Sequence, residues 1–182
     1  SDTPKFIQQF LLQCIEPVVM NDAQFGEVRE LVDEFRKQFT AMDPWRRGSP
    51  GRVRNLGKAT TDFDAYQAAL SRGVCGIKPP RMHVTVKATL NTNRLMQFNQ
   101  EHRWGRLRDG DKVEVLYLKV NDDKLDCVAI PVGQSYVPNW FQELPFDNRR
   151  MEEKLIDRKL FNVLGDIMDW DFTPPKTYAA DI

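Results

Sequence analysis

Between Arg46 and Arg108 the chain sets thirteen lysines and arginines against three acids, Asp62, Asp64 and Glu101, a net charge of +10. The whole chain has 26 basic and 26 acidic residues, so the remainder holds 13 basic and 23 acidic ones and carries −10. Overall neutrality therefore conceals a strongly dipolar molecule. A block this basic, interrupted by Gly48, Gly51, Gly57, Gly73 and Gly76, suits backbone laid along a polyanion better than a surface balanced for solubility. Nucleic acid is the expected partner.

At 182 residues with 41% apolar content the chain is long enough to bury a core without covalent staples. Cys14, Cys75 and Cys127 are odd in number and far apart, which points to reduced thiols rather than a disulfide framework or a Cys-x-x-Cys metal site. No apolar run approaches the roughly 20 residues of a membrane span, and no cationic leader precedes an apolar segment. A soluble cytoplasmic protein with no membrane partner is the expectation. The chain opens Ser1-Asp2-Thr3 without methionine, which suggests a piece excised from something longer.

Thr3-Pro4 is a good helix start, and Phe6, Ile7, Phe10, Leu11, Cys14 and Ile15 recur at three- and four-residue spacing, so a helix is predicted to about Ile15. After Pro17, Asn21 or Asp22 can cap a second helix with Phe25, Val28, Leu31, Val32, Phe35 and Phe39 as its stripe. Residues 43–58 have glycine, proline and arginine but no period, and read as an exposed, mobile loop with no core to belong to. Thr60-Thr61-Asp62 is the expected cap of a short helix that stops at Gly73, followed by a constrained turn to Pro80. Met82–Leu90, Val113–Val120 and Leu125–Val132 carry strand signals, with Asn121–Lys124 as a hairpin between the last two and a helix over 91–102. Pro138–Phe141 reads as a short turn or helix. Asp147 should cap a last helix to about Asp169, buried through Met151, Leu155, Leu160, Leu164 and Ile167. The predicted fold is α+β, mostly helical with a small antiparallel sheet. Its expected regions are a helical one over residues 1–72 containing the basic loop 43–58, a sheet subdomain over 73–136, a second helical one over 137–172, and a tail over 173–182.

Recognisable catalytic chemistry is absent. No Gly-rich phosphate loop occurs, and neither His83 nor His102 stands at a telling distance from a nucleophile or a second histidine. His83 reads as a satisfied structural histidine within a strand. Asp166, Asp169 and Asp171 fit a helix end and solvated tail better than a metal site. In the basic block, Arg46, Arg47, Arg52 and Arg54 together with Lys78 and Lys87 can reach phosphates without entering a groove, a pattern for backbone contact rather than base readout. Trp45 and Trp104 border the block, and anchoring in the core is favoured over base stacking for both.

Taken together, these residues resemble the C-terminal thumb domain of family B DNA polymerases of T-even-type bacteriophages. The resemblance runs through Thr3-Pro4-Lys5 and Cys14-Ile15, Asp33–Phe39, Arg54-Asn55-Leu56-Gly57-Lys58, the Gly73-x-x-Gly76-x-Lys78-x-Pro80 turn, Leu90–Arg94, Asp109–Leu118, and Glu153-Lys154 with Arg158 before Leu160. It implies a chain that grips duplex primer–template DNA by sequence-independent backbone contacts during replication in the bacterial host cytoplasm. By position, Lys5, Asn55, Lys58, Lys78, Lys87, Lys154 and Arg158 would be the DNA-binding residues, and the charge of the basic block adds Arg52 and Arg54 to them. It further implies that the palm and exonuclease portions hold the catalytic carboxylates. No cofactor or metal then belongs to this chain, Mg being bound by the palm, and the chain alone should neither extend nor degrade DNA. A fragment and the product of a split polymerase gene are both compatible with this reading. The family's clamp-docking tail is not recognisable in Thr177–Ile182, so a sliding clamp is a partner only if another segment serves. The alternative is a free-standing nucleic-acid-binding regulatory protein using the same basic block.

Overall fold

The computed structural model describes residues 3–21, 25–120 and 125–168. The chain is α+β as expected, dominated by helices with one three-stranded sheet. It divides into two compact units, Ser1–Ser49 with Pro145–Ile182, and Pro50–Leu144.

In the first unit α1 (Lys5–Asn21) packs against α2 (Phe25–Ala41). Most of the predicted stripe is its core: Ile7, Phe10, Leu11, Cys14, Val28, Val32 and Phe39 are buried, whereas Leu31 is 39% exposed. The Phe10 and Phe35 rings stack with centroids 3.9 Å apart, and Phe6 stacks on Phe35 and Phe39. Contrary to expectation, α1 runs through Pro17 to Asn21. A proline inside a helix removes one hydrogen bond, and here that loss does not end it. Asn21 is therefore not a cap for α2, and Asp22 lies outside the described residues.

The second half of this unit begins as predicted at Asp147, whose Oδ1 accepts from the Arg150 amide at 3.1 Å. α6 (Asn148–Glu152) continues through a single π turn, Glu153–Asp157, into α7 (Arg158–Met168). Met151, Leu155, Leu160 and Leu164 are buried as expected, with Ile156 beside them. The side chains of Asp166 and Ile167, together with Asp169, Asp171 and the tail 173–182, lie outside the described residues.

The predicted coreless loop over 43–58 is built structure. Pro44–Arg46 form a 3-10 turn, Ser49–Arg52 form β1, and the next helix already starts at Leu56. Glycine, proline and arginine hide three anchors that lack any period: Arg47 is 3% exposed, Val53 0% and Leu56 9%. Val53 also bonds backbone to backbone with Asp111 and Gly110, at 3.0 and 2.8 Å. α3 (Leu56–Ser71) is preceded by Asn55 in the left-handed conformation, φ 58°, and the Leu56 amide donates to Asp109 Oδ1 at 2.8 Å. The expected cap at Thr60–Asp62 is thus interior, and the Thr60 and Thr61 hydroxyls bond back to the Leu56 and Gly57 carbonyls, the usual outlet for such side chains within a helix. The helix does end at Gly73, whose φ of 78° suits glycine.

The largest correction concerns Met82–Leu90, which is no strand. α4 (Val84–Phe98) occupies it, and His83 is its N-cap, Nδ1 accepting from the Thr85 amide at 3.2 Å. Thr85, Thr89, Thr92 and Met96, with Val86 and Leu90, recur at helical spacing and are buried. Residues with strand propensity go helical because that face packs on the sheet, and tertiary burial overrides a propensity worth well under about 1 kcal/mol per residue.

The sheet is ordered β1-β2-β3, with β2 (Lys112–Tyr117) and β3 (Cys127–Pro131) antiparallel in the register Val113↔Pro131 to Tyr117↔Cys127. The hairpin residues Asn121–Lys124 lie outside the described residues. β3 is an edge strand, and an open edge invites pairing with other chains. Here α4 closes it: Asn91 Nδ2 donates to the Cys127 carbonyl at 2.9 Å, and Thr92 Oγ1 accepts from the Ala129 amide at 2.8 Å. Near α5 (Asn139–Gln142), Trp104 is 4% exposed, donates Nε1–H to the Tyr136 carbonyl and packs edge-on against Phe141. It anchors the core, as the reading favoured.

Candidate nucleic-acid interface

The second unit collects the basic residues. From Pro50 to Arg108 it has eleven lysines and arginines against three acids. A groove of about 540 Å³ opens where β1, the start of α3 and the start of α4 meet. Arg52 and Arg54 enter it from β1 and the residues just after, Asn55 and Lys58 from the start of α3, and Arg81 and His83 from the approach to α4. All six are exposed, and Asp62 is the lone acid of the lining.

Local structure explains the convergence. Gly51 sits where an added Cβ would lie 2.7 Å from Thr85 Oγ1, so only glycine lets β1 run this close to the first turn of α4. Asp109 holds the first amide of α3, and His83 holds the second residue of α4 through its Nδ1. That bond leaves Nε2 of the imidazole as a donor. Both helices begin at the groove, and their partial positive ends add to the field of the side chains. Four cations, one imidazole and one carboxamide over such a floor can bind phosphate oxygens. Among the described residues no group of three His, Cys, Asp or Glu could hold a metal ion.

Four of the nine candidate residues, Arg52, Arg54, Asn55 and Lys58, come together here. Arg81 and His83 were missed because His83 was read inside a strand. A helix start after Arg81 would have placed both at a cap. Lys78 is exposed in the turn after Gly76 and is not among the groove residues. Lys87 is on α4 rather than on a strand, with Nζ 3.0 Å from Asp126 Oδ1 and 3.1 Å from Oδ2. Burial pushes the Asp126 carboxyl up, but hydrogen bonds from Lys87 and Cys127 and the lysine charge hold it below the usual range. Lys87 lines a separate slot of about 220 Å³ with Phe63, Pro79 and Arg94, the Arg94 guanidinium lying 3.8 Å from the Phe63 ring centre.

The remaining three candidates belong to the first unit. Lys5 is the exposed first residue of α1. Lys154 lies half-buried inside the π turn, and Arg158 is exposed immediately after it, so their four-residue spacing does not fall on regular α-helix. Of the expected phosphate ligands beyond the nine, Arg47 must be withdrawn. It donates to the Thr40 and Met42 carbonyls and to Asn148 Oδ1, its guanidinium lies over the Phe39 ring, and burial pulls its pKa down. Its Nε–H has no hydrogen-bond partner among the described residues, but at 3% exposure the guanidinium is out of reach of a phosphate. No family model and no curated protein matches this chain.

Proposed function

We propose that the chain grips duplex DNA through its phosphate backbone, as the thumb of a family B DNA polymerase of the T-even phage type. The observation that carries this reading is the groove in which Arg52, Arg54, Lys58 and Arg81 meet with one acid for company. Spaced guanidinium and ammonium groups on an open surface suit a repeating polyanion, whereas base readout calls for bidentate side chains entering a groove of the duplex. In this reading catalysis and its Mg belong to the palm of the whole polymerase, and this chain supplies grip.

The test is fluorescence anisotropy on duplexes of unrelated sequence across a salt series. Affinity should be weak, indifferent to sequence, and fall against log salt by about 0.9 log unit per phosphate neutralised. Changing Arg52, Arg54, Lys58 and Arg81 together to alanine should flatten that slope by about 3.6 units if each meets one phosphate. An unchanged slope would remove the groove from the interface, and affinity independent of salt would sink the reading.

A further inference from the structure

The first unit gathers buried charge at a place for which phosphate binding has no use. Arg36 on α2 is 12% exposed and faces Glu152, fully buried, and Asp157, 10% exposed. One guanidinium nitrogen lies 3.0 Å from Glu152 Oε1 and 3.4 Å from Asp157 Oδ2, and the other bonds Asp157 Oδ1. The two acids bracket the π turn: Glu152 immediately precedes it and Asp157 is its last residue. The Arg158 amide closes the turn by donating to the Glu153 carbonyl, five residues back.

The five-residue separation gives this arrangement its meaning. Residues five apart on an α-helix point about 140° away from each other, beyond the reach of one guanidinium. A turn closed by an i→i+5 bond takes up one extra residue and brings positions 152 and 157 back to one side. The double ion pair therefore needs the wide turn. Arg36 joins the two carboxylates directly, while the Arg47 charge also acts on Glu152, and a buried charge that loses an ion-pair partner is strongly disfavoured.

We infer that Arg36 is a positioning residue whose fork holds the π turn open and so sets the rotational phase of α7, including the direction in which Arg158 is presented. The claim about Arg158 and DNA rests on the thumb reading; the claim about the phase of α7 does not.

The test reads the closing hydrogen bond itself, by scalar coupling across hydrogen bonds in isotope-labelled full-length chain. The parent should couple the Arg158 nitrogen to the Glu153 carbonyl carbon. In Arg36→Met the coupling should move to Lys154 or vanish while the rest of the chain stays folded. Retention of the Glu153 coupling would overturn the inference. Should Arg36→Met not fold, Arg36→Lys decides, because it keeps a buried positive charge but cannot make the two-pronged contact. There too a retained Glu153 coupling refutes the idea and a displaced one supports it. On duplex DNA, Arg36→Lys and Arg158→Ala should each flatten the salt slope by about one unit. If Arg158→Ala flattens it and Arg36→Lys does not, the positioning role is refuted. If Arg158→Ala leaves the slope unchanged, the thumb reading fails at that position and the coupling alone judges Arg36.

Discussion

Two arginines of the first unit and three of the second are used in opposite ways. In the first, Arg36 and Arg47 are withdrawn from water and spent on internal carboxylates and carbonyls; in the second, Arg52, Arg54 and Arg81 stand exposed around one groove. Adjacent residues can fall on either side of this divide. Arg46 has a side chain 70% exposed in a loose pair with Asp43, whereas Arg47 is 3% exposed. A charge run read along a chain thus counts cations without saying which remain available. Availability is set by whether the backbone offers acceptors within reach, as Thr40 and Met42 do for Arg47.

Replacement should separate the two kinds sharply. Arg47→Met should cost about 3 kcal/mol in urea unfolding, because it strands two carbonyls and an amide oxygen away from water. Arg81→Ala should stay within about 0.5 kcal/mol, as exposed positions do. Equal losses would erase the distinction. Gly51→Ala probes the platform beneath the groove: a Cβ 2.7 Å from Thr85 Oγ1 must displace the Thr85 side chain or β1, at about 1–2 kcal/mol. Duplex affinity should drop with it, and a variant as stable as the parent would show that the close approach is not needed.

A third contrast lies inside the first unit. Lys154→Ala with Arg158→Ala should flatten the salt dependence of duplex binding by about two units while the melting temperature barely moves, the reverse of Arg47→Met. Parental slope and affinity in that double variant would take this helix off the DNA. The smallest effect belongs to Lys87 and Asp126, both partly exposed. The Asp126 carboxyl is held low when folded, so its stabilisation is present above the ordinary aspartate range near about pH 4 and is lost as pH falls through the lower folded value. Exposed pairs of this kind contribute less than about 1 kcal/mol. Acid titrations of the parent and Lys87→Met should therefore differ slightly above about pH 4 and converge below it; divergence on acidification would reverse the sign.

Much of the architecture was written locally. The apolar stripes of α1, α2 and the Asp147 helix, the cap at Asp147 and the stop at Gly73 depend on contacts within a few residues, and sequence spacing reports them directly. The strand assigned to Met82–Leu90 failed because Val84, Thr85, Val86 and Thr89 suit a strand in isolation. Their helical recurrence acquires meaning only when a sheet edge is present for Asn91 and Thr92 to close. The 43–58 segment failed for a related reason: its anchors Arg47, Val53 and Leu56 have no period, and their partners Asn148, Asp111 and Asp109 lie 53 to 101 residues away.

The sequence by itself determined the α+β class, the separation of basic from acidic charge, and a few helix ends such as the cap at Asp147 and the stop at Gly73, since each follows from composition or from neighbours within about a turn. Only the tertiary structure decided that Arg47 is an internal donor, that Arg81 and His83 join Arg52, Arg54 and Lys58 at one groove, and that Arg36 spans the two ends of a π turn. Those outcomes depend on which distant backbone or side-chain atoms arrive within hydrogen-bond distance, and no local pattern along the chain encodes that arrival.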